Sequence, residues 1–81
     1  MSVKFATGHH VILEPLETST VLKSGQLSTL FKILCVGDLV EAHVTVGDIV
    51  FVRPGSVEET IAGRDKVFFV NGGDIVGGAT V

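Results

Sequence analysis

Apolar residues in this chain come in short bursts and never at helical spacing. Val11-Ile12-Leu13, Ile33-Leu34-Cys35-Val36, Ile49-Val50-Phe51-Val52, Val67-Phe68-Phe69-Val70 and Ile75-Val76 are the main ones. Gly, Pro, Asp or Asn separates them, and these residues punctuate strands. Ten glycines in 81 residues would interrupt a helix too often for one to persist. The pattern predicts strands at 3–6, 9–14, 30–36, 48–53, 57–61, 66–70 and 74–77. Strands this short and this numerous predict an all-β fold, a small irregular β-barrel forming one domain over residues 1–81.

The turns have their own chemistry. Gly37-Asp38-Leu39-Val40, Gly47-Asp48-Ile49-Val50 and Gly73-Asp74-Ile75-Val76 repeat one phrase. Gly supplies the turn, the Asp carboxylate caps it, and an apolar pair enters the sheet. Arg53-Pro54-Gly55 and Ala62-Gly63-Arg64-Asp65 read as hairpin connections. The stretch 14–28 is polar, contains Pro, Gly, Ser and Thr, and is the one long segment without strand pattern. Long connections in compact domains tend to bind something, which makes 14–28 the candidate partner-binding loop, with Thr20-Val21-Leu22 as its lone apolar point.

Composition narrows the function. Net charge is −3, and Lys4, Lys23, Lys32, Arg53, Arg64 and Lys66 are scattered, which argues against nucleic acid. The Phe residues stand in apolar runs, where burial is the expectation over base stacking. Cys35 is the only cysteine, lies between Leu34 and Val36, and is expected as a core filler. No stretch approaches the roughly 18 apolar residues of a membrane span, and no signal-peptide pattern opens the chain, so a cytoplasmic protein is expected. His9 and His10 are adjacent in an expected strand and would point to opposite faces, so no metal site is expected. No nucleophile elbow, phosphate loop or dinucleotide fingerprint is present. The expectation is a chain that is not an enzyme, takes no cofactor and works through its surfaces.

From Ser28 the chain reads Ser-Thr-Leu-Phe-Lys-Ile-Leu-Cys-Val-Gly, then Val46-Gly47-Asp48-Ile49-Val50-Phe51, then Val67-Phe68-Phe69-Val70 and Asp74-Ile75-Val76. This order resembles the co-chaperonin (GroES) family, and Val3-Lys4 with Val11-Ile12-Leu13 fall where that family has its first two strands. The resemblance implies a GroES-like barrel assembled into a homo-oligomer, a heptameric ring whose first and last strands pair between neighbours. Val3, Lys4, Phe5, Ile75, Val76 and Val81 would form that subunit interface. Independently, apolar terminal strands left as edges invite another chain to pair with them.

The same resemblance implies a partner, a chaperonin ring whose folding chamber is capped when Thr20, Val21 and Leu22 dock. Thr18-Ser19 stands where the family has Gly-Gly, and the loop is shorter. Only eight residues separate Gly37 from Val46, so the family's roof hairpin has no room. Such trimming fits a bacteriophage-encoded member acting in the host cytoplasm. The alternative is a viral structural protein on the same barrel, a capsid decoration or cement subunit held by capsid neighbours in the virion.

Overall fold

The computed structural model describes residues 3–16, 20–21, 27–28, 30–41 and 43–79. The strands are β1 (His10–Pro15), β2 (Thr20–Val21), β3 (Leu27–Ser28), β4 (Phe31–Val36), β5 (Ile49–Val52), β6 (Glu58–Ala62), β7 (Asp65–Asn71) and β8 (Ile75–Ala79), with a single 3-10 turn at Gly72–Asp74. Every pairing is antiparallel, and six strands form one open sheet in the order β6-β7-β1-β4-β5-β8. The all-β expectation holds, and six of the seven predicted strands lie within a residue or two of their expected bounds.

The exception is 3–6, which joins no ladder among the described residues. A segment becomes a strand only when another backbone takes up its hydrogen bonds, and none among the described residues does so here. The loop 14–28 also differs from expectation. Glu14 and Pro15 belong to β1, opposite Lys32 and Phe31, while Thr20 and Val21 pair with Ser28 and Leu27 in a small separate hairpin.

One cluster holds the sheet together: Val11, Leu13, Phe31, Ile33, Val50 and Val70. Leu13 and Ile33 are 1% and 0% exposed, and burying a side chain of this size contributes about 1.5–3 kcal/mol. Val57, just before β6, and Ile75, which opens β8, both pack against this cluster although β6 and β8 are opposite edges of the sheet. The sheet therefore wraps around its core. No β6–β8 ladder closes it among the described residues.

Local chemistry explains the corners. Pro54 and Gly55 (φ +77°) make a type II turn, with Ser56 N donating to Arg53 O at 3.1 Å. Gly63 (φ +68°) precedes Arg64 in the two-residue β6–β7 hairpin, a type II′ geometry matched to strand twist. The Gly-Asp phrase behaves as expected at Asp48, whose carboxylate accepts from Thr45 N at 2.9 Å ahead of β5. At Asp38 it does not. Its carboxylate accepts from Gly8 N at 3.0 Å, thirty residues away, and no strand follows. Asp74 stands 3.8 Å from Arg53 Nε, while Asn71 caps that turn by accepting from Gly73 N at 3.0 Å.

The connections at one end of the sheet interlock. Gly37 N donates to His10 O at 2.9 Å, Leu39 N to Gly8 O at 2.9 Å, and Gly72 N to His9 O at 2.8 Å. This knot ties the turns together, and no strand interrupts 37–48 among the described residues.

Candidate functional site

β8 owes its position to what precedes it. Asn71 fixes the 3-10 turn, Ile75 N donates back to Gly72 O, and the half-buried Ile75 side chain anchors the strand on the core. Beyond Ile75, β8 pairs with β5 through Phe51 opposite Gly77, Val50 opposite Gly78 and Ile49 opposite Ala79. A β-bulge between Phe51 and Val52 shifts the register, and Val76 is 58% exposed. The Phe51 ring lies over Gly77, where a Cβ would stand 2.8 Å from Cζ.

The other flank of β8 has no partner strand among the described residues. A row of backbone donors and acceptors is left for solvent or for another chain. Over the β5–β8 pair lies an open groove of about 450 Å³, lined by His43, Val44, Asp48, Ile49 and Val50 along with β8 itself.

Besides the two sheet edges, β6 and β8, the arm 3–7 also joins no ladder among the described residues. The Val3 carbonyl oxygen is 3.9 Å from Cys35 Sγ, a weak thiol contact, and Phe5 is 70% exposed. Phe5, Ala6 and Thr7 border a shallow hollow on the outer face of β6, β7 and β1, with Ile12, Thr60 and Phe69 on its other walls. The His10 ring meets Phe69 edge-on there, with centroids 6.0 Å apart. The sheet thus carries a second, smaller apolar face, and the arm lies across part of it.

The chain does not bring its own arm and its own β8 together. The arm lies by β4, β1, β6 and β7, and β8 is the sheet edge beyond β5. Of the expected interface residues, Val3, Lys4 and Phe5 are on the arm and Val76 is exposed on β8. Ile75 is half-buried against the core, so it anchors the edge more than it presents it. Val81 lies outside the described residues. Thr20 and Val21 form β2, and Leu22 lies outside the described residues.

Several expectations from the sequence need correction here. Phe5 and Phe51 (40% exposed) are not core residues; Phe31 is. Strand alternation explains Phe51, since Val50 points to the core and its neighbour must point away. A Phe opposite a Gly in paired strands is the signal that would have found it. His9 sits in a turn and not in a strand, and both His9 and His10 are exposed. Cys35 is buried as expected, but it stands apart from the main cluster, opposite Ile12 and under the arm. Leu39 (55%), expected to enter the sheet with Val40, is instead exposed on the connection after β4, as is Val46 (65%).

No group of three or more metal-ligating side chains gathers among the described residues. No described helix is long and apolar enough to cross a membrane. Comparison with protein-family models finds no match for this chain, and comparison with curated proteins finds none either.

Proposed function

We propose that this protein is the subunit of a homo-oligomeric, co-chaperonin-like ring that caps a chaperonin folding chamber. The observation that carries the reading is that one chain offers both a β8 edge and an arm, with its exposed Phe5, that join no further ladder among the described residues. The arm of one subunit adds to the β8 edge of the next, and each subunit both gives and receives. A head-to-tail contact of this kind closes into a ring when its rotation allows, and seven subunits is the number the family resemblance suggests. Burying Phe5 in such a contact contributes about 1.5–3 kcal/mol before ordering costs.

The chaperonin contact is the segment Thr20-Val21-Leu22. Burying Val21 and Leu22 contributes on the order of 3–5 kcal/mol per subunit, and a ring multiplies weak contacts by avidity. The test is native mass measurement of the protein alone and mixed with a chaperonin and nucleotide. Capture of an assembled ring is the expected result, lost when Val21 and Leu22 are both replaced by Ser. A protein that stays monomeric and is never captured defeats the proposal.

A second reading, a capsid decoration or cement subunit, is favoured by the pairing of Thr20 with Ser28 and Val21 with Leu27. Such pairing suits a hairpin pinned to a neighbour better than a freely swinging loop. Rapid protease nicking at Lys23 in the free protein supports the docking loop, and resistance there supports the structural role.

A further inference from the structure

Three features of the arm set it apart from the rest of the chain. Residues 3–6 make no backbone–backbone hydrogen bond to another described residue, although they lie against the sheet. The Val3 carbonyl lies over the Cys35 thiol, which is only 8% exposed. Phe5, the largest side chain of the arm, stays mostly in solvent.

Immediately after the arm the backbone is fixed. His10 N donates to Thr7 O at 3.2 Å, Gly8 N to the Asp38 carboxylate at 3.0 Å, and Leu39 N to Gly8 O at 2.9 Å. Gly8 adopts φ +62°, a conformation open to glycine at no steric cost. A weakly held segment thus leaves a clamped turn. The turn defines the pivot, and everything upstream can detach without disturbing the sheet.

We infer that residues 3–7 are a releasable strap, closed over the outer face at Cys35 in the single subunit and freed to pair with a neighbour on assembly. This rests on the proposed assembly through β8. The same arm cannot lie on its own outer face and reach another subunit's edge, so the two positions compete. Closure on the parent chain opposes oligomerisation, and it also covers the apolar outer face until a second copy is met.

The experiment is a lock. Replacing Val3→Cys adds a second thiol to the residue whose carbonyl oxygen lies 3.9 Å from Cys35 Sγ, and oxidation of the dilute full-length variant is expected to join the two within one chain, as read by mass spectrometry without reductant. Sizing with light scattering then compares locked and reduced protein over a concentration series. The oxidised variant is expected to assemble only at concentrations at least about tenfold higher than the reduced variant, with reductant restoring assembly. Failure of the intrachain disulfide to form shows that the arm is not seated at Cys35 and overturns the inference. So does a locked variant that assembles like the reduced one. In both cases wild-type protein that assembles leaves the ring proposal standing. A wild-type chain that is monomeric at every concentration removes the ring proposal itself, and the strap with it.

Discussion

Single atoms decide how much some positions tolerate. A Cβ on Gly37 would stand 2.2 Å from the Gly8 carbonyl oxygen and 2.9 Å from that of His10. Both are backbone atoms in the knot that binds the chain's connections, so neither can step aside cheaply. Gly37→Ala is expected to lower unfolding stability by on the order of 2–4 kcal/mol, read by urea titration. Gly77 offers the contrast. Its added methyl would meet the Phe51 ring, a side-chain end that is partly in solvent and free to turn, so Gly77→Ala should cost about 1 kcal/mol or less. Equal losses at the two sites would show that the backbone knot is not the stiffer element. Little of this was legible in the chain itself, because the Gly-Asp phrase looks alike at Asp38 and Asp48. Only the fold brings Gly8 to the first, while Thr45 is local to the second.

At the scale of elements, the β6–β7 hairpin and the β8 edge make opposite predictions. Gly63 holds φ +68° in a two-residue turn, so Gly63→Ala should destabilise the subunit by about 1 kcal/mol and leave its assembly state alone. Val76 is exposed on the unpaired edge, and a charge there blocks strand addition. Val76→Lys should therefore leave subunit stability within about 0.5 kcal/mol while shifting the sizing profile to monomer. An unchanged mass for Val76→Lys would place the interface away from β8. The strands themselves were readable because their apolar bursts are bounded by turn residues. Residues 3–6 have the same local pattern but no partner strand among the described residues, and pattern alone cannot supply one.

For the molecule as a whole, the thin core governs everything else. A chain this short buries only about 60–65% of its unfolded surface, so each core side chain is a large share of the total. Ile33 is fully buried on the central strand β4, and Ile33→Ala is expected to cost on the order of 2–5 kcal/mol, enough to leave the isolated subunit barely folded. If the subunit gains stability from its neighbours, the melting temperature of this variant should rise with protein concentration. Independence of concentration would separate folding from assembly. The sequence by itself determined the all-β class, most strand positions and the turn types, because alternation, Gly, Pro and Asp act over a few residues. Tertiary structure alone decided that the sheet stays open with β8 as an edge, that the arm crosses Cys35, and that Phe5 and Phe51 face outward. Those outcomes depend on which distant backbones meet, and no local preference carries that information.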